Sequence, residues 1–123
     1  MPITESYATG PTEPQVRDIT LGQLLEEAVA DAPERLALIA GTADPAARRE
    51  WTYAELRAEA LCAARALRAR FEPGERVAIW APNIPEWIIT QFGAAMAGVI
   101  LVTMNPSFQK RPQKCGAASM LCR

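Results

Sequence analysis

Gly93 and Gly98 have the G-x-x-x-x-G spacing of a phosphate-binding loop, and nothing else in this sequence comes so near to a nucleotide motif. Such a loop needs Lys and Ser/Thr directly after its second glycine, where this chain has Val99 and Ile100. The two glycines also fall at the end of an amphipathic stretch, where the negative pole of the helix dipole would repel a phosphate. Helix packing at Gly93 and a left-handed C-cap at Gly98 are the reading that follows. Glu26/Glu27, Glu55/Glu59 and Glu72/Glu75 are paired carboxylates of the type used in acid–base work. Each pair falls on a solvated helix face or turn, with no burial to raise a pKa, so all read as surface charge. Cys62 lies opposite the apolar stripe of its helix, near Ala58, Ala66 and Ala69, and is expected to be a small spacer against another element. With no histidine to activate it, it is not read as a nucleophile. Cys115 and Cys122 lack the two further ligands a metal site needs. Trp51, Trp80 and Trp87 fall at a strand end, in a buried strand and on a helix flank, without interleaved basic residues. They read as core or interdomain packing and not as a stacking platform. No catalytic, cofactor-binding or metal-ligating residue is assigned.

Composition narrows the classes further. The chain has 123 residues, 13 basic and 14 acidic side chains and a net charge of −1, so it offers no electrostatic case for nucleic acid or an anionic membrane. Half of the residues are apolar, enough for one domain with a real core. The absence of histidine excludes Ser-His-Asp triads, Cys-His dyads and mixed Cys/His zinc sites. Three cysteines without a Cys-x-x-Cys give neither a disulfide framework nor a redox motif, so a cytoplasmic setting is expected. Residues 1–14 contain no basic residue and no apolar run, unlike a signal peptide. The longest apolar stretch, Phe92 to Met104, falls short of the roughly 20 residues of a membrane span.

The elements that would carry these residues can be read in order. Residues 1–18, with Pro2, Gly10, Pro11 and Pro14, predict an irregular arm. Thr20 and Gln23 have capping-box spacing, and Leu21, Leu24, Leu25, Ala28, Val29 and Ala32 then share one helical face until Pro33. Leu36–Ala40 and Glu50–Thr52 predict a strand and its return, joined by an exposed loop. Thr52 and Glu55 form a second capping box, opening a helix with Tyr53, Leu56, Ala60, Ala63, Ala64, Leu67 and Phe71 on one face. Its many alanines suit close packing against a sheet. Pro73-Gly74 is a turn. Val77–Ala81 and Val99–Met104 are apolar runs flanking an amphipathic helix whose start reads as an Asn83 cap with Glu86, with Pro85 in the first turn. That pattern predicts a parallel βαβ crossover over about 77–104.

Trp51-Thr52-Tyr53-Ala54-Glu55-Leu56 is similar to the early T-Y-x-E-L motif of the adenylate-forming (AMP-binding) ligase superfamily, which includes acyl-CoA synthetases, luciferases and amino-acid adenylation domains. Glu72-Pro73-Gly74-Glu75-Arg76-Val77-Ala78-Ile79 resembles that family's P-G-D-R-V-A-I turn and strand, with Glu75 in the usual Asp place. Ala81-Pro82-Asn83, Glu86-Trp87, Gln91-Phe92, Ala97-Gly98 and Val102-Thr103-Met104-Asn105-Pro106 resemble the helix and strand that follow. Asn105-Pro106-Ser107-Phe108 is more like fatty acyl-CoA synthetases than amino-acid adenylation domains. The resemblance covers about residues 20–109.

It implies an α/β fold, a partial N-terminal subdomain of the ligase, and a two-step chemistry. A carboxylate attacks the α-phosphate of ATP to give an acyl-adenylate and pyrophosphate, and a thiol such as coenzyme A then displaces AMP. ATP, Mg²⁺ and CoA are thereby implied for full-length members. Their Ser/Thr/Gly-rich loop ending in Lys-Gly, acidic ribose contact and C-terminal lysine lie downstream of the region represented here. None is carried over to a residue of this chain. After Gln109 the composition changes: Lys110, Arg111, Lys114 and Arg123 are basic, no acid occurs, and the family's E-L-x-x-x-L helix is missing. A shifted reading frame would produce that change. The expected division is an arm at 1–18, a partial ligase domain at 19–109 and an atypical basic tail at 110–123. The leading expectation is a truncated piece of an AMP-forming acyl-CoA synthetase, inactive alone. The alternative is a stand-alone α/β interaction or regulatory module without catalytic activity.

Overall fold

A computed structural model describes residues 10, 11, 13, 16–42 and 44–107, together with the backbone of Leu121–Cys122. The elements are α1 (Leu21–Asp31), β1 (Leu36–Ile39), β2 (Glu50–Thr52), α2 (Tyr53–Arg68), β3 (Arg76–Trp80), α3 (Pro85–Ala97), β4 (Ile100–Met104) and β5 (Leu121–Cys122), with a 3-10 turn at Pro45–Ala47. Most of the N-terminal arm and of the basic tail lies outside the described residues.

Both capping boxes form. The Gln23 N–H donates to Thr20 Oγ1 at 3.1 Å and the Thr20 N–H to Gln23 Oε1 at 2.8 Å. At the start of α2 the Glu55 N–H donates to Thr52 Oγ1 at 3.2 Å and the Thr52 N–H to Glu55 Oε2 at 2.8 Å. Each box satisfies two helix-end donors. The α1 stripe needs a correction. Leu25 is 2% exposed, but Leu21 and Leu24 are 44% and 43% exposed. Packing against α2 and α3 follows the Leu25–Val29 line, while Leu21 borders an open crevice beside α3 and Leu24 faces outward.

β1 and β2 form an antiparallel pair, Leu38 opposite Trp51 and Ile39 opposite Glu50. The alanines of α2 serve a different partner from the one expected: they let α3 approach, more than they contact a sheet. A Cβ on Gly93 would stand 2.7 Å from the Ala63 Cβ and 3.0 Å from the Ala60 carbonyl oxygen. Near its start α2 meets the β1–β2 pair, and beyond its last turn Leu67 and Phe71 join Val77, Ala94, Ala97 and Val99 in a buried cluster.

β3 and β4 pair in parallel, in register from Arg76 opposite Ile100 to Trp80 opposite Met104, as the βαβ pattern predicts. Two turns with positive φ clamp the start of this pair: the Gly74 N–H donates to the Gly98 carbonyl at 2.8 Å, and the Ile100 N–H to that of Glu75 at 2.8 Å. Asn83 does not cap α3. Ile84 is the N-cap, extended at φ −120° and ψ 156° and without a side-chain bond, and Pro85 opens the helix. A residue before proline is forced out of the helical region, so the boundary falls at the proline. The sheet order is β4-β3-β5, with the two-residue β5 antiparallel to β3. Nothing in the tail's composition predicts that strand; pairing with β3 supplies it.

Candidate functional site

Parallel register brings the ends of β3 and β4 side by side, so the residues that follow each strand meet at one rim. A crevice of about 710 Å³ opens there, lined by Asn83, Trp87, Thr103, Asn105 and Ser107 among others. The carboxyl ends of parallel strands are where open α/β sheets bind ligands. The Ser107 N–H donates to Asn105 Oδ1 at 2.9 Å, which turns the chain after β4. The lining offers neutral hydrogen-bonding groups and an indole, with no carboxylate to move a proton. The sequence reading did not single out this crevice. The signal was available, because any parallel βαβ unit aligns the segments after its two strands.

A second opening, about 590 Å³, lies between the end of α2, β3 and the start of α3. Leu67, Phe71, Ile79 and Trp87 make it apolar, and Glu86 stands at its border. Arg49 donates to Glu86 Oε1 at 2.7 Å. That bond, with a backbone hydrogen bond adding to it, holds the Glu86 carboxyl below its ordinary value of 4.5. Glu86 is therefore an anion at neutral pH and no proton donor.

The paired carboxylates are all exposed. Arg57 donates to Glu26 at 2.7 Å, Arg17 pairs with Glu27, and Arg68 lies 3.8 Å from Glu72. The Glu55 carboxyl is lowered by the Thr52 N–H, then by the Thr52 hydroxyl. These are ion pairs and caps. Cys62 is exposed, and no described element uses it as a spacer, which corrects that expectation. Cys115 lies outside the described residues. The three tryptophans are half-buried on separate elements. Trp51 packs with Leu25 and Leu56, and the Arg49 guanidinium lies 5.0 Å from its ring centre, a basic neighbour the sequence reading passed over. Gly93 is a packing glycine and Gly98 an αL cap at φ +74°, which accounts for both positions of the loop-like spacing. Among the described residues no three His, Cys, Asp or Glu side chains gather to hold a metal ion, and no helix is long and apolar enough to cross a membrane.

The sequence profile described as "AMP-binding enzyme" matches residues 25–114. The chain belongs to the AMP-binding enzyme family. Medium-chain acyl-CoA ligase ACSF2, mitochondrial, from Danio rerio is 32% identical over 121 residues, covering 98% of this chain and 19% of that protein. The human protein of the same name is 36% identical over 105 residues, 85% of this chain and 16% of its own length. Among solved structures, the N-terminal domain of FACL13 from Mycobacterium tuberculosis superposes with a TM-score of 0.64 at 29% identity. That match covers 72% of this chain and 22% of the FACL13 chain. The α/β unit is thus that of the N-terminal part of AMP-binding ligases, and this chain spans less than a fifth of the curated relatives it matches.

The described residues do not fit the triphosphate and Mg²⁺ that the family implies. The glycine pair is committed to packing and capping, no metal-ligating group forms, and the sequence's lysines, Lys110 and Lys114, both fall in the tail.

Proposed function

We propose that this chain is a scaffold piece of an AMP-forming acyl-CoA synthetase, an enzyme that activates a carboxylic, fatty acid with ATP and passes the acyl group to CoA. In this reading residues 19–109 are the scaffold, the arm at 1–18 and the basic tail at 110–123 flank it, and the setting is cytoplasmic. One observation carries the proposal. The family match extends over residues 25–114, yet the glycines that come closest to a phosphate loop are used up in helix packing and a C-cap. Catalysis in this chemistry rests on positioned charge around the transferring phosphorus, and no described side-chain group supplies it. The purified polypeptide, given ATP, Mg²⁺, a medium-chain fatty acid and CoA, is expected to release no pyrophosphate above the protein-free rate. Release that depends on both ATP and the acid would overturn the reading. The alternative, an interaction or regulatory module, is favoured by the uncovered apolar side of β4; a specific partner recovered without any ligase sequence would support it.

A further inference from the structure

In the β4-β3-β5 sheet, β3 has a neighbour on each side. One is β4, the product of the crossover. The other is Leu121–Cys122, from the tail whose composition departs from what precedes it. β5 runs antiparallel to β3, with Leu121 opposite Ile79 and Cys122 opposite Ala78. Without β5, that side of β3 would be a row of unpaired backbone donors and acceptors along residues 77–80, which carry no charge and no proline. Such a row is a template for another extended segment. Strand addition draws its affinity from those main-chain bonds.

We infer that the side of β3 turned away from β4 is a strand-addition site for an extended, basic segment, and that the chain's own tail is its resident occupant. The inference goes beyond the scaffold reading and does not depend on it. Connectivity favours the tail over a separate molecule. Pairing within one chain gains an effective concentration that a second copy or a partner strand must match from solution. Charge selects it as well. Of the 13 basic side chains, Lys110, Arg111, Lys114 and Arg123 are in the tail, which has no acid and so carries +4. The other nine stand against all 14 acids in residues 1–109, a net −5. The body therefore attracts this segment and repels an identical body. β5 is also only two residues long, and a very short edge strand offers a further chain little to pair with. The tail both occupies the site and closes it.

Ala78 and Ile79 make the test self-controlled. Opposed pairs in an antiparallel ladder alternate between bonded and non-bonded, so one of these two amides belongs to the β5 ladder and the other to the β4 ladder. The full chain carrying Leu121→Pro and Cys122→Pro loses both tail donors. Hydrogen exchange of the β5-side amide should then rise at least tenfold, while the β4-side amide and those of α2 keep their rates. A synthetic peptide of residues 110–123 added to this variant should restore the protection. The same peptide with the two prolines, equal in charge, should not. About 1 M salt, which screens charges beyond about 3 Å, should weaken the restoration at least tenfold. In the unmutated chain the same salt should speed exchange of the β5-side amide alone, a readout that stands even if the proline variant fails to fold. Exchange unmoved by the prolines or by salt overturns the inference. So does restoration by the proline-bearing peptide, or protection in the unmutated chain that falls on dilution, as pairing between two copies requires.

Discussion

Gly93 shows how little a motif means apart from its surroundings. Its spacing to Gly98 is that of a nucleotide loop, but its missing side chain lets two helices touch. Gly93→Ala gains helix propensity of about 1 kcal/mol and loses more to overpacking against Ala63 and the Ala60 carbonyl. A net loss of about 1–2 kcal/mol in urea unfolding is expected; a stabilised variant would show that the helices are not in close contact. Glu55 makes a second prediction. Its carboxyl is held low in the folded chain by the Thr52 N–H and then the hydroxyl, so it contributes stability above its unfolded pKa. That contribution is lost as pH falls through the folded value, below the ordinary 4.5. Glu86, held low by Arg49, acts in the same direction. Glu55→Gln keeps an oxygen that can accept the Thr52 N–H but cannot titrate. Urea midpoints at pH 7 and pH 3 should therefore differ less in this variant than in the parent, because the pH 7 midpoint falls while the pH 3 midpoint changes little.

Among the helices, α1 buries the fewest residues. Its capping box fixes where it starts, but only Leu25 is fully buried, in a cluster with Leu56 and Ala60. Leu25→Ala is expected to cost about 2–4 kcal/mol. It should release the amides of α1 to hydrogen exchange before those of α2, whose Leu56, Ala60, Ala64 and Leu67 are all buried. Simultaneous release of both helices would show α1 to be integral to the core. The strand pair depends differently on sequence. Its start is locked by backbone bonds between Gly74 and Gly98 and between Glu75 and Ile100, so register is set by two turns and not by side-chain pairing.

Among the described residues, the apolar interior falls into two clusters, one around Val77 and Phe71 and one around Leu25 and Leu56. Met96 packs against both. Shortening that bridge should uncouple them: Met96→Ala is expected to cost about 2 kcal/mol and to separate the transitions seen by far-ultraviolet circular dichroism and by tryptophan fluorescence. In the parent the two should coincide. The order of elements from α1 to β4, both capping boxes, the turn glycines and the parallel crossover were legible in the amino-acid sequence, because each depends on neighbours a few positions away. That the carboxylate pairs lie exposed was legible too, although partners such as Arg57 for Glu26 come from distant parts of the chain. Tertiary structure alone decided that the α2 alanines meet a helix, that Leu21 and Leu24 stay exposed, that Asn83 yields its cap to Ile84, and that polar residues after β3 and β4 share a crevice. It also decided that, among the described residues, no element covers one face of the parallel pair. Those outcomes depend on which surfaces meet across the molecule, and local periodicity holds no information about the far partner.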